Sequence, residues 1–143
     1  MDIIMGRTVT DLELVRSAIE ARQFAYTPYS HFRVGAALLS ADGRIFSGCN
    51  IENAGYTPTN CAERTAIFKA VSEVVREFDA IAIAAGKENG DLVVTAPCGV
   101  CRQVMMEFCS PSAFRILLVQ SEREYQEFTL EQLLPMGFGP DNL

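Results

Sequence analysis

Two short stretches carry residue types that could do chemistry together. In "NCAERTA", residues 60–66, Cys61, Glu63 and Arg64 fall within four consecutive positions. In "APCGVCRQ", residues 96–103, Cys98 and Cys101 form a C-x-x-C pair directly after Pro97. Each stretch sits where a loop feeds a helix start, and unpaired N–H groups and the helix dipole favour a thiolate there. If the two helix starts face each other, three thiolates converge on one point. Zinc is the ion best suited to sulfur at such a point, and three protein ligands leave a fourth position for water. Glu63 then lies beside that water, able to take its proton and pass it on.

Other readings use the same residues. A lone C-x-x-C also fits a thioredoxin-like redox pair, although Cys61 then has no role. A structural zinc site normally takes four protein ligands, and His31, the only histidine, could supply the fourth. Glu63 alone could be no more than a first-turn carboxylate complementing the dipole.

Positioning these residues requires elements that the pattern predicts. "VTDLELVRSAIEARQFAY" reads as an amphipathic helix ended by "TPYSH". "FRVGAALLSADGRIFSGCNIE" reads as a hairpin around "ADG", and "NAGYTP" as loop. "TNCAERTAIFKAVSEVV" reads as a helix with Thr59 or Asn60 as N-cap and a stripe of Ala66, Ile67, Ala70, Val71 and Val74. "FDAIAIAAG" and "FRILLVQ" are apolar runs of buried-strand type, separated by the helix "CGVCRQVMMEFC". "EYQEFTL" reads as an edge strand and "LEQLLP" as a short closing helix. This order predicts one α/β domain over residues 1–143: three α/β/α layers around a mixed sheet of about five strands.

Composition narrows the partners. A net charge of −6 and pI near 4.8 disfavour a nucleic-acid backbone, whose binding normally needs a basic face. No apolar run is long enough to span a bilayer, and "MDIIMGRTVT" lacks the basic start of a secretion signal. The expectation is a cytoplasmic protein with reduced thiols. An odd count of five cysteines agrees with this, leaving Cys49 and Cys109 as buried or interface thiols.

"CAERTA" with "PCGVCRQ", preceded by "YSHFRVGAAL" and "GCNIEN", resembles the small cytidine deaminases, the class whose zinc is held by three cysteines. The motifs run from about Tyr29 to Gln103, and "GFGP" extends the likeness to the C-terminus. The resemblance implies zinc-dependent hydrolysis of cytidine and 2′-deoxycytidine to uridine and deoxyuridine, with Cys61, Cys98 and Cys101 as zinc ligands and Glu63 as proton shuttle. A divalent ion among three thiolates keeps one net negative charge, and the family's arginine, here Arg64, offsets it at the sulfurs with Gln103 helping to hold it. Phe32 would stack on the pyrimidine, and Ala62 would also contact substrate. Arg33 stands where relatives commonly carry proline, which puts the local loop shape in question. Asn50 and Glu52, alternate residues at a strand end, point to one side. The resemblance gives them the sugar hydroxyls, and the charge of Glu52 argues against a phosphate there. In the family's homotetramer, Phe138 closes a neighbouring subunit's pocket and Tyr56 reaches across.

Overall fold

Strict alternation builds the sheet. In β3 (Phe78–Lys87), Ala80, Ala82 and Ala84 face one way and Ile81 and Ile83 the other, all essentially excluded from solvent. Its neighbours β1 (Phe32–Ser40) and β4 (Arg115–Ser121) repeat the pattern, with Ala37, Leu117 and Val119 on the first face and Ala36, Leu38, Ile116 and Leu118 on the second. The structure, a computed structural model, describes residues 8–143. The stretch "MDIIMGRTVT", read above for a secretion signal, lies largely outside the described residues.

Strand order is β2-β1-β3-β4-β5, where β2 spans Ile45–Cys49 and β5 spans Glu124–Thr129. Pairing is antiparallel except between β3 and β4, so the predicted mixed five-stranded sheet is present, with "EYQEFTL" on its edge. Helix α1 (Asp11–Ala21) covers the alanine-rich face, burying Leu14, Val15 and Ala18. Each large apolar side chain so buried contributes roughly 1.5–3 kcal/mol. The small face lets the helix backbone come close: a Cβ on Gly35 would lie 2.1 Å from the Ala18 carbonyl oxygen. Thr10 caps α1 by accepting from the Glu13 N–H at 3.2 Å, and the helix tightens into a 3-10 turn over Arg22–Phe24. The other face carries α2 (Ala62–Ser72) and α3 (Gly99–Phe108), completing three layers. The short α4 (Leu130–Leu133) follows β5, with a Thr129–Gln132 capping box.

Strands β2 and β3 both lie antiparallel to β1, so they run in the same direction. The helices that follow them, α2 and α3, therefore both begin at one end of the sheet. This directional constraint brings Cys61 and Cys98 together across 37 residues of sequence.

Two helix-end expectations are corrected. The N-cap of α2 is Cys61, not Thr59 or Asn60. Its C-terminus comes earlier than the apolar stripe suggested. Val74 is 75% exposed and left-handed (φ 64°), outside the stripe. The Val75 and Val74 N–H groups donate back to the Ala70 and Val71 carbonyls, both at 3.0 Å, which turns the chain and buries Val75 instead.

Candidate active site

Both helix starts place a cysteine at the N-cap, Cys61 on α2 and Cys98 on α3, and neither side chain makes a capping bond to its own helix. Cys101 sits one turn into α3 and is fully buried. The three sulfurs lie within 4.8 Å of one another, with Cys61 and Cys98 Sγ 3.7 Å apart. Sulfurs bound at about 2.3 Å around a tetrahedral zinc stand about 3.8 Å apart, so this donor set fits that ion in both chemistry and spacing. Among the described residues, the metal-capable group consists of the cysteines alone. His31, the alternative fourth ligand, pairs with Glu88 at 3.2 Å instead.

Charge at the sulfurs is answered locally. An Arg64 Nη2 group donates to Cys61 Sγ at 3.3 Å. A hydrogen bond from the Cys101 thiol and this contact with Arg64 hold Cys61 down at about 5, against the opposing effect of burial. Cys101 is correspondingly pushed up by its bond to Cys61 and by burial. Glu63, the second residue of α2, is only 4% exposed. Burial, reinforced by the negative charge of Cys61, raises its carboxyl to about 7.

Glu63 opens with Cys61, Ala62, Cys98 and Asn50 into a cavity of about 180 Å³ whose walls include Val34, Thr59 and Thr95. Thr59 also borders an adjoining hollow of about 300 Å³ lined by Tyr29, Ser30, Glu52, Asn53 and Tyr56. Two spaces that share Thr59 in their walls thus have the metal cluster in one and an acidic side chain in the other. Asn50 faces the inner one while bracing β1: its carboxamide accepts from the Val34 N–H and donates to the Phe32 carbonyl, each at 2.9 Å.

Other expected residues fall elsewhere. Phe32 shares a face of β1 with Val34, but Val34, not Phe32, lines the inner cavity. Arg33 pairs with Gly86 within the sheet and turns its side chain toward the Gln23 carbonyl and Glu88, so the strand runs straight through the position. Phe138 is 57% exposed and outside both spaces. Gln103 does not hold Arg64; its amide donates to the Phe138 carbonyl at 2.8 Å and anchors the C-terminal segment. Of the two unassigned cysteines, Cys109 is buried and Cys49 half-buried.

Sequence reasoning passed over Gly48. A Cβ there would lie 2.5 Å from the Ala66 nitrogen and 2.6 Å from the Ala62 carbonyl oxygen, so β2 supports the first turns of α2 by direct backbone contact. A glycine inside an apolar strand is itself the signal for such an approach.

Residues 8–116 match the family model described as "Cytidine and deoxycytidylate deaminase zinc-binding region". The chain belongs to this family. Among its relatives, a protein named cytidine deaminase from Sporosarcina psychrophila is 49% identical over 131 residues, covering 92% of this chain and 93% of the relative. Another of that name, from Halalkalibacterium halodurans, is 48% identical over 130 residues, 91% and 95% of the two chains. A crystal structure of cytidine deaminase from Burkholderia pseudomallei superposes with a TM-score of 0.81 at 44% identity, covering 91% of this chain and 100% of the other. The family's zinc-binding region spans all three clustered cysteines. No helix among the described residues is long and apolar enough to cross a membrane.

Proposed function

We propose that this chain is a single-domain cytoplasmic hydrolase that converts cytidine and 2′-deoxycytidine to uridine and deoxyuridine, releasing ammonia. The observation that carries the reading is a buried carboxylic acid, Glu63, sharing one small cavity with a three-thiol cluster of zinc-like spacing. Cys61, Cys98 and Cys101 hold the metal. When bound, zinc supplies a Lewis acid that makes a water acidic enough to act as nucleophile near neutral pH.

Glu63 then moves the protons. It takes one from the attacking water and delivers it to pyrimidine N3, which makes C4 electrophilic. It takes the second from the new hydroxyl on C4 and delivers it to the amino nitrogen, which leaves as ammonia while the carbonyl forms. A carboxyl raised to about 7 by burial suits a group that must both accept and donate. Arg64 keeps the sulfur cluster from carrying uncompensated negative charge.

The inner cavity is of a size for the base and the adjoining hollow for the sugar. Asn50 and Ala62 border the first, Glu52 and Tyr56 the second. An acidic side chain in the sugar space favours a nucleoside over a nucleotide, because a phosphate there would be repelled. Val34, on the wall of the inner cavity, takes the place beside the base that the resemblance gives to Phe32. The exposed Met136 and Phe138 suit burial against a second copy, and on that ground, with the family resemblance, we assign a homotetramer with shared pockets.

The test is Glu63→Gln. The variant should bind one zinc per chain while turnover of cytidine, followed by loss of ultraviolet absorbance, falls by at least about 10²-fold. Full activity in a zinc-loaded variant would refute the mechanism.

A further inference from the structure

The Glu52 carboxylate in the outer hollow is almost fully engaged by one loop. Its Oε1 accepts from the Tyr29 N–H at 3.0 Å and the Ser30 N–H at 3.1 Å, and its Oε2 accepts from the Ser30 hydroxyl. The Ser30 oxygen in turn accepts from the Phe32 N–H at 3.0 Å. A hydroxyl has one proton, and here the Phe32 donor fixes where it points.

Counting lone pairs gives the consequence. A carboxylate offers about four acceptor positions, two on each oxygen. Both on Oε1 are taken, and one on Oε2 is taken by Ser30. A single acceptor position remains, on Oε2. These same bonds, that of the Ser30 hydroxyl first, hold the Glu52 carboxyl below the usual carboxylate range, so it stays ionised and cannot donate.

We infer that Ser30 is the positioning residue for Glu52, turning the carboxylate so that its one free lone pair accepts a single hydroxyl of a neutral sugar. The sequence around Ser30 links this sugar contact to the start of β1, since the same hydroxyl is tied to the Phe32 backbone two residues before Val34. Base space and sugar space are therefore registered to each other through one side chain. The inference deepens the nucleoside reading and rests on it.

The experiment is a double-mutant cycle of Ser30→Ala and Glu52→Ala, with kcat and KM measured on cytidine and on 2′,3′-dideoxycytidine, which lacks both ring hydroxyls. On cytidine, Ser30→Ala should raise KM about three- to tenfold with kcat within about twofold, the worth of one ordinary hydrogen bond. In the Glu52→Ala background the same substitution should add less than about twofold, and on dideoxycytidine it should change KM by less than about twofold. An undiminished Ser30→Ala effect in that background or on dideoxycytidine, or no effect on cytidine, would overturn the positioning role. Absence of turnover of cytidine by the zinc-loaded parent would instead overturn the deaminase reading, and this inference with it.

Discussion

Substituting Gly48 by alanine probes whether β2 sets the position of the chemistry. The added methyl would sit 2.5 Å from the Ala66 nitrogen and 2.6 Å from the Ala62 carbonyl oxygen, both backbone atoms of α2. Ordinary contact begins near 3.4 Å, so the helix start has to retreat by about 0.9 Å. Cys98 and Cys101, on α3, have no reason to follow. Metal sites tolerate departures of only about 0.2 Å in ligand distance, and a misplacement of about 1 Å in a catalytic group costs about 10²-fold. Overpacking of this kind costs about 1–3 kcal/mol, or a fall in Tm of roughly 2–10 °C for a chain of this size. Gly48→Ala should therefore remain folded, lose zinc more readily to a chelator and drop ten- to hundredfold in kcat on cytidine. Val119→Ala, a cavity on the α1 face of the sheet, serves as the control of comparable stability cost. If both variants melt lower but keep parental kcat and zinc content, β2 does not govern the position of the site.

Replacing Arg64 by alanine should weaken zinc retention about 10- to 100-fold in a chelator competition, since it removes the cation donating to Cys61. Val74→Gly should raise stability by about 1 kcal/mol in denaturant titration, because a branched side chain there occupies a left-handed position while burying little. Asp11 is held below its ordinary value of 3.8 chiefly by the Arg115 hydrogen bond. Its stabilising effect is thus complete above that value and lost as pH falls through the lowered one, so melting curves of the parent and Asp11→Asn should differ at pH 6 and converge in strong acid.

The sheet was readable because long apolar runs such as "FDAIAIAAG" can be satisfied only by burial on both faces, and two runs flanking a helix imply a parallel pair. The metal cluster was readable for a different reason. Cysteine at two helix starts, with glutamate beside one of them, is a combination that packing alone does not ask for. The walls of the cavity were not readable, because Val34, Thr59 and Thr95 come from three segments whose meeting depends on strand direction and loop path. Gln103 shows the same limit: nothing local in "CRQ" distinguishes an amide facing Arg64 from one reaching the Phe138 carbonyl. Helix ends misled where a local rule met a competing demand. Val74 has the right spacing for the stripe, but the chain needs its turn at that residue.

The two cysteine N-caps have a mechanical consequence. A serine or threonine at such a place would tie down its own helix, worth on the order of 1 kcal/mol. Cys61 and Cys98 do not. One ion held between them would instead clasp the beginnings of two helices at once, so stripping it loosens two distant segments in a single event. Amide exchange should then quicken together in the first turns of α2 and α3, while β3 and β4 between the layers stay protected. The ion that makes the reaction possible would in that case also be the fastener that keeps the reaction's two halves in register.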